Sequence, residues 1–172
     1  MSPQSESSQC RDRLREFFRG SGVDLGCGGG LVVPHAIGVD MPNPYTKVGD
    51  DPIHLRGDAR VLHWFTDGCL DFVFSSHLLE DFPAEETVSI LHEWQRPLKI
   101  GGHLVIYCPD EQIFREHCEK TGQPHNGAHQ IPDFSAAFVV GALRLLPWME
   151  VVHVAEHVDT YAFEVVARKG AQ

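Results

Sequence analysis

The chain has 172 residues, 42% of them apolar, with 14 basic against 24 acidic side chains and a formal net charge of −10. That length suits one compact domain. No apolar run approaches the roughly 20 residues that cross a bilayer, and the acidic balance opposes non-specific attraction to nucleic-acid phosphates.

Five cysteines, Cys10, Cys27, Cys69, Cys108 and Cys118, form no CxxC pair. With no basic-then-apolar leader in "MSPQSESSQCRDRLREFF", they read as reduced thiols of a cytoplasmic protein. Residues 1–9 are rich in Ser and Gln and read as disordered. "CRDRLREFFRG" has helical character and stops at Gly20. We expect a tail and helix over 1–20 and a single domain over 21–172.

"GVDLG" and "AIGVD" are short strand candidates, and "NPYTKVGDDP" after them is turn-rich. "LDFVFSS" is aromatic and β-branched, the pattern of a strand. "AEETVSILHEWQRPLK" places Val88, Leu91, Trp94 and Leu98 at helical spacing, with Pro83 and two acids at its start and Pro97 to end it. "GGHLVIYCP" predicts a further strand and "DEQIFREHCEKTG" a helix stopped by Gly122. "SAAFVVGALRLL" predicts an apolar helix, and "MEVVHVAEHV" with "TYAFEVVARK" a closing hairpin. Strands alternating with helices imply a parallel sheet covered on both faces.

"VDLGCGGGLVVPHAIGVD" raises the functional question. In open α/β sheets, ligands bind beyond the carboxyl ends of the strands, and glycines there let backbone approach closely. A nicotinamide dehydrogenase needs GxGxxG opening a real helix. From Gly26 and Gly28 the third position is Leu31, and from Gly28 and Gly30 it is Val33. Neither frame fits, and Pro34 leaves little room for the helix. Asp40 ends the next strand, where an acid accepts from ribose hydroxyls. Asp58 in "GDAR" stands where a third strand would end and can accept from an adenine amine. Asp50 and Asp51 lie nearby, and Asp58 also suits a helix cap.

Taken in order, "VDLGCGGG", "IGVD", "GDAR", "LDFVFSSHLLEDF" and "LKIGGHLVIYCPD" resemble the class I S-adenosylmethionine-dependent methyltransferases. "SSHLLEDF" is similar to the pattern of the type 11 branch, and the short glycine-to-Asp40 segment to a small subgroup of it. The resemblance implies an α/β, Rossmann-like doubly wound fold with a seven-stranded, mostly parallel sheet and an antiparallel terminal hairpin. It implies S-adenosylmethionine as cofactor. Gly26 and Gly28 would approach its amino-acid end, with Cys27 packed inside the turn and Asp24 fixing it. Asp40, followed by Met41, would take the ribose, Asp58 and Ala59 the adenine, and Ser75 and Ser76 would present carbonyls from the fourth strand.

His77 follows that strand and is the candidate general base or substrate contact; a structural histidine bonded to Glu80 or Asp81 is the other reading. Asp81 stands where the branch usually has a second His. His125 and His129, four apart in "PHNGAHQ", suit a substrate lid better than a metal site, which needs more ligands, so no metal is assigned. Asp110 and the loop after it, residues 121–134, the N-terminal segment or a second subunit of a homodimer would hold the acceptor. The charge favours a small molecule methylated at oxygen over nucleic acid. A cofactor-binding module without catalysis, acting as sensor or partner, is the alternative.

Overall fold

The protein, seen in a computed structural model, is described for residues 9–44, 47 and 49–171. The disorder expected over residues 1–9 lies outside the described residues except at Gln9, as does part of the turn-rich stretch before Asp50. Seven strands form one sheet: β1 (Gly22–Leu25), β2 (Ile37–Asp40), β3 (Leu55–Arg56), β4 (Leu70–Ser76), β5 (Leu98–Pro109), β6 (Met149–Val158) and β7 (Ala162–Lys169). Their order is β3-β2-β1-β4-β5-β7-β6. β1 to β5 pair in parallel, and β7 runs antiparallel between β5 and β6. This is the expected Rossmann-like sheet. Strand order reverses between β1 and β4, which opens a crevice at their carboxyl ends.

The helices follow their local signals. α1 (Thr87–Gln95) buries Ile90, Leu91 and Trp94 and stops before Pro97; residues Ala84–Glu86 ahead of it form a separate 3-10 turn. α2 (Glu111–Thr121) starts where the Asp110 carboxylate accepts from the Ile113 N–H at 3.2 Å, and it ends at Gly122 with φ 73°. α3 (Ala136–Leu143) is capped by Ser135. Strand β5 begins earlier than the glycines suggest, at Leu98. No helix among the described residues is long and apolar enough to cross a membrane.

One face of the sheet, with Val23, Leu25, Val73, Leu104, Ile106 and Val165, packs against α1 and α3 through Leu91, Trp94, Val139 and Leu143. The other face is covered differently from the expected pair of helical layers. Phe72, Phe74, Val105, Tyr107 and Val166 lie under Cys10, Leu14 and Phe18 of the N-terminal segment and under Val32 and Ala36 of the loop after β1. The N-terminal helix is correspondingly short: Leu14 N–H closes one turn onto the Cys10 carbonyl, and Arg15–Phe17 continue as a 3-10 turn. Phe18 meets Phe72 and Phe74 edge-on at 5.6 and 5.4 Å. Arg13 locks this cover to the hairpin, pairing with Asp159 at 2.6 Å and with the buried Glu164 at 2.7 Å. The Tyr107 hydroxyl also donates to Asp159.

Candidate cofactor cleft and active site

The loop joining β1 to β2 has no helix to satisfy its backbone, so side chains from elsewhere do it. The buried Asp24 carboxylate accepts from Val32 N–H at 2.6 Å. Asp51 accepts from Leu31 N–H and donates its own N–H to the Gly29 carbonyl, each at 2.9 Å. The Arg11 guanidinium donates to the carbonyls of Leu31 and Val32. The loop is packed so closely on residue 49 that a side chain at either Gly29 or Gly49 would collide with the other's carbonyl oxygen. Gly29 also holds φ 77°, a conformation natural to glycine.

Held in this way, the loop borders a cavity of about 220 Å³ at the carboxyl ends of β1, β2 and β3. Gly26, Asp40, Met41, Gly57, Asp58 and Ala59 line it, with Arg60, Leu78 and Phe82 on the facing side. Asp40 grips the glycine turn, its Oδ2 accepting from Gly28 N–H and its Oδ1 from Met41 N–H, both at 2.7 Å. A carboxylate offers about four acceptor positions, so two remain for hydroxyl groups. Gly26, at φ 71°, passes close under Leu78; an added Cβ would lie 3.0 Å from its Cδ2. Ala59 is fixed from behind, its carbonyl accepting from the buried Trp94 Nε1 at 2.8 Å.

Asp58 borders the cavity but is gripped by Arg60, whose Nη2 lies 2.6 Å from Oδ2. That hydrogen bond holds the Asp58 carboxyl below its ordinary range. Arg60 also reaches Glu86 at 3.0 Å and covers the Phe82 ring at 5.6 Å. An amine at Asp58 would therefore share the carboxylate with Arg60.

Five of the expected cofactor residues, Gly26, Asp40, Met41, Asp58 and Ala59, thus line one cavity. The others stand behind it or outside it. Asp24 holds the loop from beneath, at 1% exposure, and Gly28 meets Asp40. Cys27 is buried, which pushes its thiol up to about 11. Ser75 and Ser76 are buried where β4 ends between β1 and β5.

The groups beyond β4 and β5 form a second cluster. His77 adopts φ 48°, uncommon outside glycine; this turns the chain sharply after β4, and its N–H donates to the Tyr107 carbonyl. Its ring meets Tyr107 and Tyr161 at 5.5 and 6.4 Å, and its Nδ1 lies 3.8 Å from Oε1 of the buried Glu80. His129 approaches the same Glu80 oxygen from the other side, with its Nε2 at 4.0 Å. Its Nδ1 lies 2.6 Å from Oε2 of Glu111, also buried, and Arg115 Nε donates to the other oxygen of Glu111. Gln130 clips this loop to the turn after β4 through the Glu80 and Asp81 carbonyls.

His125 is exposed and joins none of this. Asp110 caps α2 and lines a separate open groove of about 710 Å³ with Arg115, Glu116 and Asp133. Glu111, Arg11 and Arg60 were not singled out by the sequence, and Glu80 entered only as a bonding partner for His77. Their spacing follows no local pattern, although "SSHLLEDF" marks the segment that carries Leu78, Glu80 and Phe82.

Comparison with known proteins agrees with this fold. The type 11 family model, described as a methyltransferase domain, matches residues 23–106. No curated protein matches the sequence. Among solved structures, a Pyrococcus horikoshii OT3 protein is similar over 96% of this chain and 90% of its own, at 20% identity and TM-score 0.71. An S-adenosylmethionine-dependent methyltransferase from Archaeoglobus fulgidus is similar over 95% of both chains, at 19% identity and TM-score 0.70. One from Aquifex aeolicus is similar over 96% of this chain and 92% of its own, at 18% identity and TM-score 0.67.

At these identities the structures establish the fold; the activity rests on the family match and on the cleft that the fold builds. Residues 23–106 form a methyltransferase domain of the type 11 family, and the fold around them is that of a class I S-adenosylmethionine-dependent methyltransferase. S-adenosylmethionine is its cofactor, and the first three motifs of the sequence supply Gly26, Asp40, Gly57, Asp58, Ala59 and Arg60 of the cavity lining, the fourth Leu78 and Phe82.

Proposed function

We propose that this enzyme methylates an oxygen of a small-molecule acceptor bound beside the ends of β4 and β5. The observation that carries the reading is the polar cluster there, with His77 and His129 converging on Glu80 next to the turn that borders the cofactor cavity. The net charge of −10 also favours a small acceptor over a nucleic acid. When bound, the cofactor supplies a methyl group already activated on a sulfonium.

In this reading Asp40 accepts from the two ribose hydroxyls, Asp58 and the Ala59 backbone meet the adenine, and Gly26 leaves room for the chain toward the amino-acid end. The cavity is smaller than the roughly 300–1,000 Å³ of whole ligand sites, so it accounts for the nucleoside portion. Leu78 and Phe82 exclude water from that portion. His77 takes the proton from the acceptor hydroxyl. The short loop held by Asp24, Arg11 and Asp51 supports a place in the small subgroup with a truncated first crossover.

Calorimetric titration with S-adenosylmethionine tests the cofactor roles. Asp40→Ala should weaken binding by about 1–3 kcal/mol, as when buried hydroxyls lose a partner, and unchanged affinity would remove Asp40 from the site. A panel of hydroxyl, amine and thiol acceptors, followed by release of S-adenosylhomocysteine, tests the acceptor class. Turnover of amines or thiols alone would overturn the oxygen assignment. Cofactor binding without turnover of any acceptor would favour a non-catalytic module.

A further inference from the structure

We propose that Glu80, Asp81 and His129 bind one divalent transition-metal ion on the acceptor side of the cleft. Sequence spacing assigns no metal here, because the pair it offers is His125 with His129, and His125 is exposed and outside the cluster. The topology assembles a different set. Glu80 and Asp81 come from the turn after β4, and His129 from the loop between α2 and α3. One ligand atom from each of these three lies within 4.8 Å of the others.

Three observations favour an ion over a plain hydrogen-bonded cluster. First, His129 Nε2 stands 4.0 Å from Oε1 of Glu80. That distance exceeds a hydrogen bond, but two ligands sharing one ion with bonds of about 2.0–2.2 Å are separated by up to twice that length. Second, the His129 side chain is only 5% exposed, so water has little access to the Nε2 that faces Glu80.

Third, Glu111 holds the opposite nitrogen of His129 at 2.6 Å and is itself gripped by Arg115. A carboxylate on the far ring nitrogen is the usual support behind a metal-bound histidine, since it fixes the tautomer that leaves Nε2 free to ligate. Glu111 is outside the three-ligand set, so its contact is independent evidence of where Nε2 is directed. Mixed imidazole and carboxylate ligands select Zn²⁺, Mn²⁺ or Fe²⁺ over Mg²⁺ and Ca²⁺. The ion would clasp the 121–134 loop to the turn after β4. If the acceptor-side reading above is right, it would also lower the pKa of a hydroxyl placed on it. Metal binding itself does not depend on that reading.

The test uses the full chain, stripped with EDTA and titrated calorimetrically with ZnCl₂, MnCl₂ or MgCl₂ alone. We expect one equivalent of Zn²⁺ or Mn²⁺ to bind, with Mg²⁺ at least tenfold weaker. Asp81→Asn and His129→Gln should lose at least tenfold in affinity. Glu111→Gln should lose about 10–100-fold through the support it gives His129, and His157→Gln, exposed on β6, should bind like the parent.

Absence of saturable uptake would overturn the proposal, as would uptake that Asp81→Asn and His129→Gln leave unchanged. Should those variants fail to fold, Co²⁺ added to the unaltered chain decides the matter. Visible d–d absorption displaced by one equivalent of Zn²⁺ supports the site, and a featureless spectrum refutes it. S-adenosylmethionine affinity, measured in parallel on the stripped protein, separates failure of this site from failure of the methyltransferase reading.

Discussion

Asp24 gives the sharpest prediction of stability. Its carboxyl is 1% exposed beneath the glycine loop, and burial pushes its pKa from 3.8 up to about 8. Asp40 and Asp51 add to the rise, while the Val32 N–H and Arg11 oppose it. The folded state therefore holds a proton that the unfolded chain has released between about pH 4 and pH 8. Across that window stability must fall as pH rises. A shift of about four units corresponds to about 6 kcal/mol between the two limits.

Asp24→Asn keeps an oxygen that can accept from Val32 and never ionises, so the difference between the two proteins isolates this one group from every other titration. Urea unfolding followed by tryptophan fluorescence at intervals from pH 5 to 7.5 should show the parent losing about 3 kcal/mol relative to the variant, at about 1.4 kcal/mol per pH unit. A flat difference would mean that Asp24 is not buried as the fold places it. A difference of opposite sign would mean that Arg11 and the Val32 amide outweigh burial and that the group is an ordinary ionised carboxylate.

Two further predictions follow from the packing. Gly49→Ala should cost about 1–3 kcal/mol, because its methyl would collide with the Gly29 carbonyl and neither backbone can yield. Gly127→Ala, with nothing within 4 Å of the new methyl, is the control, and equal melting temperatures for the two would refute the close packing of the loop. A thiol reagent such as DTNB should label Cys69 quickly in the native protein. Cys10, Cys27, Cys108 and Cys118 are buried and should react only on unfolding; a second fast thiol would contradict that burial.

What the sequence could and could not disclose follows from the range of the forces involved. The strands and helices were legible because each carries its own signal. The aromatic and β-branched run in "LDFVFSS", the helical spacing of Val88, Leu91 and Trp94, and the stop at Gly122 act within a few residues. Asp40 and Asp58 were legible because the cleft recruits residues from strand ends, which local pattern locates.

The glycine loop was only half legible. That a helix was missing could be read from Pro34 and the short spacing, but not what replaces it. Its supports, Arg11 and Asp51, reach it from about 20 residues away on either side. The same limit explains the histidines. Spacing of four joined His125 to His129, yet the packing of the 121–134 loop sets His129 between Glu111 and Glu80, 18 and 49 positions earlier. A buried imidazole between two carboxylates is costly unless a proton or an ion balances them. No local pattern requires such an arrangement, so its presence makes this side of the cleft the place to look for chemistry specific to this enzyme.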